Sequence, residues 1–337
     1  GSLAKPFVFL SALRTGRYHA ATPVEDETYP WHLADGSVWV PTNYGGGGAR
    51  GTMPLVRALA DSSNLATVNV GFDVGVPAVL DTLRELGLDR GVRPVPAVLL
   101  GALDLAPLEV AQLYAALANG GQRVRPHAVV RVRTADGREH RLGREPEPAV
   151  ERSAAHQLAH MLTQVVDRGT GRPARRVLPP RLRVAGKTGT SSDGRASWFA
   201  GFGGDHVVAV WVGRDDFGPT PLNGARGALP VWATLVRELG TRSWDPLPPF
   251  DLVAHWVDRG TGIAVPGDCG GTAMPLLVAR YAPVPSSEDC LPPELPWGAD
   301  APGYLRTAEA PAAATPTDAV ATRPVVTAVP AADAVIP

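Results

Sequence analysis

Of the 32 lysines and arginines in this sequence, only Lys5 and Lys187 are lysines. A guanidinium keeps its proton at every accessible pH, whereas an amine taken out of water can lose one and act as a base. A chain that writes nearly all its positive charge as arginine, yet keeps two lysines, invites a chemical reason for them. Both sit beside hydroxyls. In Ser2-Leu3-Ala4-Lys5 a serine precedes the first lysine by three residues, and the apolar run from Pro6 to Leu13 that follows predicts a helix. Residues three apart on a helix share a face, so the hydroxyl and the amine can meet. Ser2 would then lie in the first turn, where the helix dipole favours developing negative charge on a nucleophile, although the same spacing also occurs in ordinary exposed pairs. Lys187 lies in Val184-Ala185-Gly186-Lys187-Thr188-Gly189-Thr190-Ser191, a strand-like run rich in hydroxyls. Between them, Ser62-Ser63-Asn64 follows the short helical run ending at Asp61 and precedes another apolar pattern. Capping of the next helix is the simplest role for that segment.

These residues need a scaffold. Period-2 alternation predicts strands over 181–191, 195–203 and 206–214, and helical patterns cover 53–60, 76–87, 107–118 and 151–167. In the first strand, alternation sets Lys187, Gly189 and Ser191 on one face and Thr188 and Thr190 on the other. Gly189 would let a substrate backbone approach closely. The fold class expected is α+β, an antiparallel sheet with a helical cluster. From Trp244 to about Trp297 prolines and glycines multiply, and a small β-rich appendage is expected over 246–298 after a main domain of 1–245. Residues 299–337 are Ala/Pro/Thr/Val with almost no aromatics, a composition expected to be disordered.

Composition closes off several function classes. At 337 residues and 45% apolar, the chain can bury a large core. A net charge of −1 provides no basic field for nucleic acid or an anionic membrane surface. No stretch approaches about 18 consecutive apolar residues, and no signal-peptide order opens the chain, so the residues as given read as a soluble fragment of a longer protein. His156 and His160 have metal-ligand spacing, but Gln157 stands where a zinc protease needs glutamate, and a solvated helix face is expected. Gly45–Gly48 is a glycine run without the Gly-Lys-Ser/Thr of a phosphate loop, so no nucleotide, metal or other cofactor is implied. Trp198 and Phe199 are expected to pack the sheet core. Cys269 and Cys290 could pair in an oxidising compartment or remain free thiols.

Taken in order, Ser-x-x-Lys, Ser-x-Asn and Lys-Thr-Gly form the trio described for serine penicillin-binding proteins and β-lactamases. The chain resembles class A penicillin-binding proteins, most closely those of the 1B type. The likeness extends through Gly1–Phe7, Trp39–Tyr44, Ala58–Gly71, Leu100–Ala102, Pro107–Ala111, Tyr114–Gly121, Thr163–Gly171, Ala185–Thr190, Trp198–Gly201 and Trp211–Asp216, so it covers roughly residues 1–240.

That resemblance implies a serine β-lactamase/D,D-peptidase-like fold, N-terminally truncated, whose missing strands would leave a sheet edge exposed. It implies a D,D-transpeptidase that cross-links peptidoglycan at the periplasmic face of the inner membrane, its anchor absent from this fragment, within a synthase that also polymerises glycan. Catalysis would fall to Ser2, Lys5, Ser62, Asn64 and Lys187, with Thr188, Gly189 and Thr190 binding substrate and the N–H groups of Ser2 and Thr190 forming an oxyanion hole. Gly45–Gly48 would be a mobile loop near the cleft. The partners implied are a D-Ala-D-Ala pentapeptide donor, an amine acceptor stem and β-lactams, with cell-wall synthesis or division proteins as further candidates. A D,D-carboxypeptidase, a β-lactamase-like hydrolase and a non-catalytic penicillin-sensing module remain open on sequence alone.

Overall fold

Lys5–Arg14 (α1) carries apolar residues on every side, and a helix of that kind belongs in a core. In the computed structural model, which describes residues 1–33, 35–143, 145–191 and 194–291, α1 runs through the middle of the molecule with Phe7, Val8, Phe9 and Leu10 buried. Pro6 sits in its first turn, where a missing N–H costs nothing. Around it pack α2 (Leu55–Ala60), α3 (Asn64–Val74), α4 (Val76–Glu85), α5 (Pro107–Ala118) and α6 (Arg152–Asp167).

Strands Ala185–Thr190, Ala196–Phe202 and Val207–Gly213 form an antiparallel sheet with 196–202 in the centre. Register pairs Lys187 with Ala200 and Thr188 with Phe199, so the two sides are distinct. Ala185, Ala200 and Phe202 face the helical core, while Phe199 and Val208 meet α7 (Ala228–Glu238), whose Trp232 ring lies 4.5 Å from Phe199. Trp198, as expected, packs against the helical core, half-buried beside the start of the chain. Among the described residues no strand pairs with the far edge of 207–213.

Helix α2 starts two residues later than expected because Gly51–Pro54 is a strand paired with Pro23–Asp26, and Pro54 caps the change of direction. After Trp244 the antiparallel pair Leu252–Asp258 and Ala273–Ala279 places Val257, Met274, Leu276 and Val278 in the main core. Cys269 and Cys290 are joined in a disulfide, with Cα atoms 5.5 Å apart. The solvated face expected for His156 and His160 is not what forms. His156 is buried, with its ring 5.1 Å from that of Trp244, and Nδ1 of His160 is enclosed without a hydrogen-bond partner among the described residues. Burial lowers both imidazole pKa values, that of His160 to about 4. The expected tail, 299–337, lies outside the described residues, and no described helix is long and apolar enough to cross a membrane.

Candidate active site

Ser2 stands at the head of α1 in a 3-10 turn, Ser2–Ala4, rather than in the α-helix proper. The turn is closed by Ala4 N donating to Gly1 O at 3.1 Å and held from behind by the Tyr114 hydroxyl donating to Leu3 O at 3.2 Å. It lies hard against the Ala185–Thr190 strand. A Cβ on Gly189 would stand 2.9 Å from Leu3 Cγ and 3.0 Å from Trp198 Cβ, so the close approach this glycine permits is that of the serine turn itself.

Beneath the turn the two lysines converge from opposite sides. Both are fully buried. Lys5 Nζ donates to Ser62 O at 2.6 Å, to Asn64 Oδ1 at 2.6 Å and to Ser62 Oγ at 3.3 Å. Lys187 Nζ donates to Ser62 Oγ at 2.8 Å and to Thr188 O at 3.0 Å. The Ser62 hydroxyl is therefore the bridge between two amines. Its backbone has φ 57°, the left-handed region that a residue with a side chain seldom enters, and this turns its carbonyl toward Lys5. All of the Lys5 hydrogen bonds go to the Ser62–Asn64 segment. The direct Ser2–Lys5 hydrogen bond allowed by their spacing is not formed among the described residues.

Burial is the first cause that pushes the Lys5 pKa well below that of a free lysine, and the charges of Lys187 and Arg50 push it further. Burial alone brings Lys187 down to about 7. Both shifts favour the neutral amine, and on Lys5 neighbouring cations add to burial.

An open cleft of about 630 Å³ lies above this corner, lined by Ser2, Ser62, Asn64, Thr188 and Thr190, with Tyr44 and Gly45 at its rim. Five of the eight sequence-derived site residues meet there, Lys5 and Lys187 lie below, and Gly189 lies behind. Residues 1–216 match the family described as the penicillin binding protein transpeptidase domain. The chain belongs to that family.

This transpeptidase domain is 41% identical to penicillin-binding protein 1B of Vibrio cholerae serotype O1 over 241 residues, covering 70% of this chain and 31% of the relative. To penicillin-binding protein 1B of Escherichia coli K12 it is 39% identical over 265 residues, covering 77% and 31%. It thus spans under a third of their length. The crystal structure of penicillin-binding protein 1A from Haemophilus influenzae shares the fold, with a TM-score of 0.74 at 22% identity over 86% of this chain and 49% of that one. Penicillin-binding protein A from M. tuberculosis, solved as a penicillin G acyl-enzyme, is 27% identical with a TM-score of 0.57 over 71% and 60%.

The wall of the transpeptidase cleft follows from strand pairing. Ser191 N donates to Ala196 O, so Gly189 and Lys187 also exchange ladder bonds with the central strand, while Thr188 and Thr190 direct their backbone groups off the free edge. The Lys187 amine on Thr188 O agrees with this. Among the described residues neither Thr190 N nor Ser2 N, the latter a first-turn donor with no helical acceptor, has a protein acceptor. Three residues of the site escaped sequence reasoning. Thr170 meets Thr188 hydroxyl to hydroxyl at 2.7 Å. Gly224 donates its N–H to Thr190 Oγ1 at 3.1 Å and lies so close that a Cβ there would be 2.8 Å from Gly189 O. Asn43 accepts from Asn64 N at 2.9 Å. Asn43 and Thr170 fall inside runs that resemble the family, but neither has a spacing of its own that marks a role.

Proposed function

We propose that this domain is a serine D,D-transpeptidase working through an acyl-enzyme on Ser2, and that β-lactams acylate the same oxygen. The observation that carries the reading is the placing of Ser62 Oγ between two buried amines, 3.3 Å from Lys5 and 2.8 Å from Lys187, beneath the cleft that holds Ser2. Two acceptor-only oxygens, Ser62 O and Asn64 Oδ1, occupy the two N–H bonds of a neutral Lys5, so its lone pair takes the third direction, where Ser62 Oγ lies 3.3 Å away and can act as donor. Ser2 Oγ attacks the carbonyl of the penultimate D-Ala as its proton passes to that lone pair. The N–H groups of Ser2 and Thr190 receive the developing oxyanion. The proton then travels through Ser62 to the leaving nitrogen, the C–N bond breaks, and free D-alanine departs. An amine from a second stem attacks the ester carbonyl, the C–Oγ bond to Ser2 breaks, the amine proton returns along the same path to Ser2 Oγ, and the new amide is the cross-link. Lys187 in its protonated form, with Thr188 and Thr190, holds the terminal carboxylate.

Penicillin-binding protein A of M. tuberculosis, captured as a penicillin G acyl-enzyme, supports acylation as the shared chemistry. Relatives named penicillin-binding protein 1B support a cell-wall synthase as the parent, acting at the periplasmic face of the inner membrane. Stem pentapeptide donor and amine acceptor are the substrates of this reading, and 1–245 is its catalytic domain. The test is exposure to a fluorescent penicillin followed by peptide mapping. The expected result is one adduct on Ser2 that persists for many minutes and is lost in Ser2→Ala. An unmodified wild-type chain would refute the proposal, and rapid turnover of the adduct would favour a hydrolase.

A further inference from the structure

A buried carboxylate with no part in the steps above lies behind the Ser62–Asn64 segment. Asp26 ends the Pro23–Asp26 strand with its side chain fully enclosed. An ionised carboxylate in that position is costly unless donors surround it. They do: Arg50 Nε donates at 2.7 Å, Asn43 Nδ2 at 3.1 Å, and the Ser63 hydroxyl completes the set. Although burial raises its pKa, donation from Ser63, Arg50 and Asn43 outweighs that and holds Asp26 below the usual carboxylate range.

The consequence is one of polarity. A carboxylate can only accept, so it fixes which end of each neighbour it meets. Asn43 must present Nδ2 to Asp26, which turns its Oδ1 to the backbone N–H of Asn64 at 2.9 Å. Asn64 donates Nδ2 to Thr42 O at 2.8 Å, which leaves its Oδ1 for Lys5 at 2.6 Å. Ser63 must give its proton to Asp26, so its oxygen is free to accept from Ala66 N at 3.0 Å and cap α3. Every donor and acceptor from Asp26 to the Lys5 amine is thus assigned in one direction. We infer that Asp26 is a positioning residue of the transpeptidase, acting through Asn43 and Ser63 to orient Asn64 and aim the lone pair of Lys5. The inference rests on the acyl-enzyme reading proposed above.

The replacement Asp26→Asn keeps the shape but offers a donor as well as an acceptor, so Asn43 and Ser63 can reverse. Stopped-flow labelling with a fluorescent penicillin separates the noncovalent dissociation constant, the first-order acylation constant and the burst amplitude that counts active molecules. The expected result is an acylation constant reduced about 10- to 100-fold, the scale of a misplaced catalytic group, with dissociation constant and amplitude unchanged. A merely structural role would lower the amplitude instead. Should Asp26→Asn fail to fold, Asn43→Ala decides, because it cuts the link to Asn64 while leaving Asp26 with Arg50 and Ser63. Wild-type acylation constants in a folded Asp26→Asn, or in Asn43→Ala where that variant decides, would overturn the inference alone. A wild-type chain that takes no label would sink the acyl-enzyme reading and this inference with it.

Discussion

The floor and the wall of the cleft are built on opposite plans. In the floor, two amines and a carboxylate are enclosed, and with the half-buried Ser62 hydroxyl and Asn64 amide they are matched donor to acceptor, down to the reversal of Ser62 at φ 57°. In the wall, Thr188 and Thr190 stand at a strand edge whose backbone groups face the open cleft. Proton transfer depends on lone-pair direction and on pKa, both of which burial can fix in advance. Capture of a peptide depends on donors left vacant until the ligand arrives. The floor is therefore where a small change should remove chemistry, and the wall is where it should weaken binding.

The severest test of that division is Lys5→Arg. The guanidinium offers similar donors but brings a positive charge that it cannot lose, so it has no lone pair for a proton. Loss of a positioned base costs about 10²- to 10⁴-fold in rate, and acylation of Ser2 is expected to fall at least that far. Rapid-quench labelling at saturating penicillin reads it, with circular dichroism to check folding, since the larger head replaces a fully buried amine. Labelling at the wild-type rate would remove Lys5 from its role as base.

Next in size is the pH profile of the second-order acylation constant, which reports the free enzyme. Lys5 must be neutral, so the rate falls on the acid side as it gains a proton. Lys187 must be charged, and with its pKa lowered to about 7 the rate falls again as pH rises through that value. In Lys187→Arg the charge persists, so the alkaline limb should vanish while the acid limb remains. An alkaline limb unchanged in this variant would assign it to another group.

Thr188→Val probes the wall. Removing one hydroxyl that binds a carboxylate costs about 1.5 kcal/mol, roughly tenfold in affinity. The dissociation constant for penicillin should rise by that factor with the first-order acylation constant unchanged. A fall in the acylation constant instead would mean that the wall takes part in the chemistry and that the division between the two regions is wrong.

How much of this was written in the sequence differs between the same two regions and the parts that support them. Ser2, Lys5 and Lys187 could be found because a lysine is conspicuous where all other positive charge is arginine, and the three sheet strands because alternation is a local property. Alternation also set Lys187 and Thr188 on opposite faces of the strand, and the structure turns the Lys187 face toward the helical core. Asp26 and Asn43 gave no such signal. Asp26 is one acidic residue among three in Glu25-Asp26-Glu27, Asn43 is a lone amide in a loop, and the strand that carries Asp26 pairs with Gly51–Pro54, which sequence did not anticipate. The histidines of α6 were misjudged for a related reason. His156 is covered by Trp244, far along the chain, folding back over the helix. Proline and glycine content after Trp244 likewise held no hint that Val257, Met274, Leu276 and Val278 would enter the main core.

That last region supplies the smallest expected effect on catalysis, and a control for the comparison. The disulfide closes a loop between residues 21 apart in sequence, where Ile263, Val265, Ala273 and Leu291 make a small cluster of their own. Replacing Cys269 and Cys290 together by serine releases that loop in the unfolded chain and should lower stability by about 3 kcal/mol, read as an earlier midpoint in urea. Neither cysteine lines the cleft or bonds to any residue of the floor. The acylation constant per active molecule should therefore equal that of the wild type, even as the fraction folded near the midpoint falls. A variant with full stability would show that the β pair is held by Val257, Leu276 and Val278 alone. A slower acylation constant in a fully folded variant would show that the C-terminal strands bear on the proton-handling floor through α6, and that the floor does not end at Asp26.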